Sequence, residues 1–127
     1  MHQPRAYLAR VVLDVTDMDR ALSFWCAALG YEVTHRTSYF AVAKDPKRKH
    51  LPMGFQPTDE RKRVTSPIHV EIFTDDMERE ARRLEALGAS RVTDWPYPEP
   101  DHNWLVLRDP DGHEICVCQM GPESLDF

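Results

Sequence analysis

The sequence predicts an α+β domain built from two βαβββ modules, and three observations predict it. Residues 68–88 read as a strand, an acidic cap, an amphipathic helix and a closing glycine: 68–73 alternate apolar and polar, Thr74-Asp75-Asp76 offer side-chain oxygens, and Met77, Ala81, Leu84 and Leu87 recur at helical spacing before Gly88. Residues 9–30 repeat that order, with Thr16-Asp17-Met18-Asp19 as cap, Met18, Leu22, Trp25 and Leu29 as stripe, and Gly30 as stop. Each copy is followed by enough β-rich sequence for three further strands. Superposing Asp17 on Asp76 sets Arg10 on His69. A repeat this long in so short a chain marks two copies of one supersecondary unit. Module one spans about 7–57 and module two about 67–120. Two such units can join their strands into a curved, cup-shaped mixed sheet with the helices outside.

The chain has 127 residues, a length that suits one domain. Apolar residues make up 42% and charged residues 29%, an ordinary globular balance. A net charge of −5 argues against nucleic acid, which calls for a basic face. The basic runs at 44–50 and 61–63 are read as solvated loops. Three cysteines, Cys26, Cys116 and Cys118, and an opening without an apolar leader fit a reducing, cytoplasmic setting. No stretch approaches a membrane span, so no membrane partner is expected.

In chain order, residues 1–5 read as a loose terminus and 7–15 as the first strand. Its faces differ: Ala9, Val11, Leu13 and Val15 are apolar and suit packing under the helix, whereas Leu8, Arg10, Val12 and Asp14 mix apolar and charged groups. That mixed face is either a partly wet cavity wall or an edge where Arg10 and Asp14 pair. After the helix at 18–29, residues 31–37 and 38–44 read as strands, 45–50 as a charged turn, and 51–56 as a short strand interrupted by Pro52 and Gly54, hence an edge or bulge. Residues 57–67 form a linker. In the second copy, strand parity sets His69, Glu71 and Phe73 on the side matching Arg10, Val12 and Asp14. A strand at 89–94, a stiff proline-rich loop at 95–103 and strands at 104–108 and 113–120 follow. Asp109-Pro110-Asp111-Gly112 joins the last two as a strong turn signal. Residues 125–127 are a tail or a partner contact.

The doubled strand-Asp-helix-Leu-Gly pattern, closed by the Asp-Pro-Asp-Gly hairpin, resembles the glyoxalase/bleomycin resistance/extradiol dioxygenase superfamily with its vicinal oxygen chelate fold. The runs His69-Val70-Glu71-Ile72, Leu87-Gly88-Ala89 and Trp104 through Cys116 are similar to its glyoxalase-like subgroup. The resemblance covers residues 8–119 and implies the fold, not one reaction, because members include lyases, dioxygenases, epimerases and drug-sequestering proteins. It also implies a divalent ion held by His, Glu or Gln from the first and last strands of each copy. Carried over, those positions fall on Arg10, Met53, His69 and Cys116. His69 alone is a usual ligand there. Arg10 is a permanent cation and Met53 a soft thioether, while Cys116 stands where a Glu is expected.

The candidate pocket is therefore Arg10, Asp14, Phe40, Met53, His69, Glu71, Phe73, Trp104 and Cys116, with Trp95 and Tyr97 at the rim. His69 is a pocket residue, a general base or a buried structural histidine. Glu71, two residues along, is expected too far away for a tight pair without bending. Arg10 with Asp14 binds an anionic group or closes the cavity as an internal ion pair. Cys116 is core filler, a soft ligand or a nucleophile. Two usable ligands, His69 and Cys116, fall short of a stable metal site unless His102 closes over it, so a divalent metal is disfavoured and no cofactor is expected. The sequence thus favours a metal-independent binder of an aromatic or polar small molecule, associating as a homodimer. The alternative is an enzyme: a metal-dependent lyase or dioxygenase, or a metal-free isomerase or dehydratase using His69 or Glu71 as base.

Overall fold

The structure is a computed structural model that describes residues 6–58, 67–92 and 103–120. The expectations for 1–5, 61–63, most of the linker, the proline-rich loop with Trp95, Tyr97 and His102, and the tail lie outside the described residues.

The chain divides into a first unit within residues 10–68 and a second within 69–126 together with the start of the first strand. The first holds β1 (Ala6–Val15, from Arg10 on), α1 (Met18–Leu29), β2 (Glu32–Arg36), β3 (Ala41–Lys44) and β4 (Met53–Pro57). The second holds β5 (Ile68–Thr74, from His69 on), α2 (Met77–Ala86), β6 (Ser90–Arg91), β7 (Trp104–Arg108) and β8 (Glu114–Gln119). Within the first unit the strands run β2-β3-β4-β1, antiparallel except for the parallel β1–β4 pair. Within the second the order is β5-β8-β7-β6, with β5–β8 parallel and the rest antiparallel. A helix linking two strands and a mixed ladder, found twice, is the α+β class that the repeat predicts. The strands begin and end within a few residues of expectation. β4 starts two residues late, at Met53, because Pro52 has no N–H to give a ladder.

The two helices start alike for the same chemical reason. Asp17 accepts the Arg20 N–H at 3.0 Å and Asp76 accepts that of Arg79 at 3.2 Å, each satisfying an amide that has no intrahelical partner. Gly30, at φ 71°, ends α1 and donates its N–H to the Cys26 carbonyl. Under α1, Leu22 packs on Ala41, Ala43, Met53 and Phe55, with Met18 and Trp25 at the edge of the cluster. Phe55 has no exposed surface, and its burial contributes about 1.5–3 kcal/mol. Under α2, Ala81, Leu107 and Val117 form the equivalent cluster with Met77 and Leu84. The last leucine of each stripe departs from expectation. Leu29 is 48% and Leu87 69% exposed, because each lies at the helix end where the turn carries the chain away.

Candidate functional site

Strand parity decides which side chains share a face. In the second unit Leu107 and Val117 lie under α2, so their neighbours in β7 and β8 point to the opposite face. There Glu71 stands beside Cys116, which stands beside Val106; the next row is Phe73, Cys118 and Trp104. Phe73, Cys116, Cys118 and Val106 form a buried cluster joined by Ala9, with Trp104 packed against it. Ala9 was expected beneath the helix and belongs here instead. Tyr7 meets Phe73 edge to face at 5.9 Å between ring centres.

His69, Glu71 and Cys116 are all buried, and their ligand-capable atoms lie within 4.8 Å of one another. Glu71 was expected too far from His69 for a tight pair without bending, and the spacing within 4.8 Å brings the two close without making them such a pair. Residues two apart on a strand are separated by roughly 6.5 Å along the backbone. Their side chains nevertheless turn toward a shared point, with Cys116 supplied by the adjacent strand. A ring nitrogen, a carboxylate oxygen and a sulfur make a donor set that suits zinc and similar divalent ions. An open metal site takes three such protein ligands at about 2.0–2.3 Å. The set could hold a cation, Glu71 being a potential third ligand beside the two counted from the sequence.

Sequence reading missed Glu114, which is buried and shares this face. It pairs across the ladder with Arg108, the two charged groups 3.7 Å apart. The signal was available: Glu114 precedes Cys116 by two residues, so strand alternation puts both on one side.

The first unit contrasts with this. Arg10 is buried, with its guanidinium carbon 4.9 Å from the centre of the Phe40 ring, a cation–π contact. Asp14 is half-buried, and its backbone N–H donates to the Pro67 carbonyl at 2.8 Å. Met53 is not on this face. It packs under α1 with Leu22 and Phe55, which corrects its assignment to the pocket. The registers give the reason. Val11 pairs with Met53 in one unit and Val70 with Ile115 in the other, so the repeat that sets Val11 on Val70 sets Gly54, not Met53, on Cys116. A slip of one residue reverses the face. A β-carbon at Gly54 would stand 2.6 Å from Phe40 Cζ and 3.0 Å from Val12 Cγ2, so the ring fills the space of a side chain there. Lys44, expected in a solvated run, ends β3 and is only 5% exposed.

A second group of potential ligands, Asp109, Asp111 and His113, lies in the β7–β8 hairpin. Its central carboxylate already accepts the N–H groups of Asp111 at 2.9 Å and His113 at 2.8 Å, and lies 3.0 Å from His113 Nδ1. The His113 amide leads in holding the Asp109 carboxyl below the usual carboxylate range. This cluster is a turn lock.

The family described as a glyoxalase-like domain matches residues 10–118. Methylmalonyl-CoA epimerase from Mycobacterium tuberculosis aligns at a TM-score of 0.65 and 17% identity, over 91% of this chain and 89% of that one. A glyoxalase/bleomycin resistance protein/dioxygenase superfamily member from Vibrio splendidus aligns at 0.58 and 16%, over 93% and 100%. The Mn(II)-bound glyoxalase from Novosphingobium aromaticivorans aligns at 0.59 and 17%, over 92% of this chain and 40% of that one. These likenesses are of fold. Among curated proteins, none matches this chain in sequence.

Proposed function

This chain belongs to the glyoxalase-like domain family, and we propose that it binds a small organic ligand at a divalent cation held by His69, Glu71 and Cys116. One observation carries the reading: three buried donors of different chemistry, from two neighbouring strands, come within 4.8 Å of one another. A divalent ion among them is compatible with their burial, because it would compensate the carboxylate charge and accept the lone pair of a neutral imidazole. The Novosphingobium glyoxalase of similar fold is Mn(II)-bound, which supports the same reading.

Held by these residues, such an ion would supply Lewis acidity toward an oxygen of the ligand. The chain's own groups do the rest. Phe73, Trp104 and Val106 give an apolar, aromatic surface beside the donors, suited to the body of an organic ligand. Their packing fixes the strand positions that aim His69 and Cys116, and it limits access of water.

Metal analysis of purified protein tests this. Zinc, manganese, nickel or iron is expected in stoichiometric amount, and it is lost in His69→Ala and Cys116→Ser variants that keep the wild-type circular dichroism. Wild-type protein that takes up no more metal than the variants after loading contradicts the proposal. In that case, a ligand-dependent rise in melting temperature without metal would favour the metal-free binder that the sequence suggests.

A further inference from the structure

The cation reading uses Glu71 and assigns nothing to a second buried carboxylate on the same face, that of Glu114, 4% exposed. Strand register fixes its place. Val70 pairs with Ile115 across β5 and β8, and Ile115 packs against the cluster under α2. One step back, His69 and Glu114 therefore stand side by side and point away from α2, with Cα atoms about 4.8 Å apart. Leu107 also pairs with Ile115, so Arg108 stands on the far side of Glu114. The row reads His69, Glu114, Arg108, with the Glu114 carboxylate 3.7 Å from the Arg108 guanidinium.

Glu114 stands beside the candidate donors and not among them. The group whose ligand atoms lie within 4.8 Å of one another is His69, Glu71 and Cys116, and Glu114 opposes His69 from the neighbouring strand. An imidazole that binds an ion through one ring nitrogen carries its proton on the other. A carboxylate that accepts this N–H fixes both the tautomer and the direction of the ring. An ionised carboxylate has acceptors only, and Arg108 gives this one a compensating charge. The other copy bears on the same point. The repeat that sets Arg10 on His69 sets Pro52 on Glu114 and Lys44 on Arg108. Where an arginine, which has no tautomer to fix, replaces the histidine, a proline replaces the carboxylate.

We infer that Glu114 is a positioning residue: its carboxylate accepts the ring N–H of His69, aims the other ring nitrogen toward Glu71 and Cys116, and is itself anchored by Arg108. The contact needs no ion, whereas its consequence for metal affinity rests on the cation reading.

The test uses full-length protein with nitrogen-15 in its histidine rings, stripped of metal by a chelator and observed by NMR. A ring N–H proton of His69, assigned by its loss in His69→Ala, is expected far downfield and slow to exchange with water. It is expected to disappear in Glu114→Met and to remain in Glu114→Gln, whose amide oxygen still accepts. Cobalt(II) titration reads the consequence. Glu114→Met is expected to weaken binding about ten- to a hundredfold, Glu114→Gln to weaken it less, and Glu114→Met added to His69→Ala to cause no further loss. Absence of the downfield proton in wild-type protein overturns the inference, as does its persistence in folded Glu114→Met. A Glu114→Met protein that loses stability alone, with ring proton and cobalt affinity unchanged, assigns Glu114 only to its ion pair with Arg108 and overturns it too. Because the proton is first read on wild-type protein, a variant that fails to fold does not remove the test. Wild-type protein that shows the proton and binds no cobalt contradicts the cation reading alone; protein that binds cobalt without the proton contradicts this inference alone.

Discussion

A methyl group at position 54 would meet the Phe40 ring at 2.6 Å, so this glycine is required by its neighbours and not by its backbone. Gly54→Ala is expected to push Phe40 aside, break its stacking with Arg10 and cost about 1–3 kcal/mol, the usual penalty of overpacking. Thermal or urea unfolding measures that loss; a variant as stable as wild type would show that the ring moves freely. The residue also shows what could be read without coordinates. Pro52 and Gly54 announced an irregular strand, but nothing local said which of Met53 and Gly54 faced the helix. Register depends on pairing with β1, which is a long-range property. His69, Glu71 and Phe73 were legible because one strand with clean alternation fixes its own parity. The meeting of His69 with Glu71 was not, since it depends on side-chain rotamers.

The connections between elements are secured by side chains reaching back to the backbone. Gln119, at the end of β8, accepts the Met77 N–H at 2.8 Å and donates to the Asp75 carbonyl at 2.7 Å, joining the start of α2 to the sheet. Gln119→Ala is expected to destabilise the protein by about 1 kcal/mol and to raise amide exchange at the first turn of α2. The β7–β8 hairpin has a pH-dependent lock. Asp109 ionises more readily in the folded protein than in the unfolded chain, because two backbone N–H groups and His113 face its carboxylate. The unfolded state therefore takes up the proton first on acidification. The stabilisation is whole at neutral pH and disappears as pH falls below the ordinary carboxylate range. Asp109→Asn is expected to be less stable than wild type at neutral pH, with the gap closing in acid; unfolding curves across that range measure it. A gap independent of pH would mean that the charge plays no part. The hairpin was plain in the sequence, since Asp-Pro-Asp-Gly specifies a turn through local dihedrals alone. The reach of Gln119 to a helix start far away in the chain had no local sign.

At the scale of the molecule, the repeat made the α+β class readable: two copies of one pattern constrain each other, and an error in one is exposed by the other. The copies have diverged in chemistry. One presents His69, Glu71 and Cys116 together, while the other presents Arg10 beside Phe40, with Gly54 where a ligand side chain would stand. Counting ligands position by position from the sequence missed this, because Glu71 lies outside the positions that the resemblance implied. No helix among the described residues is long and apolar enough to cross a membrane.

The cation site is tested most directly by titrating cobalt(II) into metal-stripped protein while recording the absorption that thiolate-to-cobalt charge transfer produces. The account predicts a saturating signal at one equivalent of cobalt, absent in Cys116→Ser and weakened at least tenfold in His69→Ala and Glu71→Ala. A wild-type protein that gives no thiolate band, or one whose band survives the loss of Cys116, would contradict it.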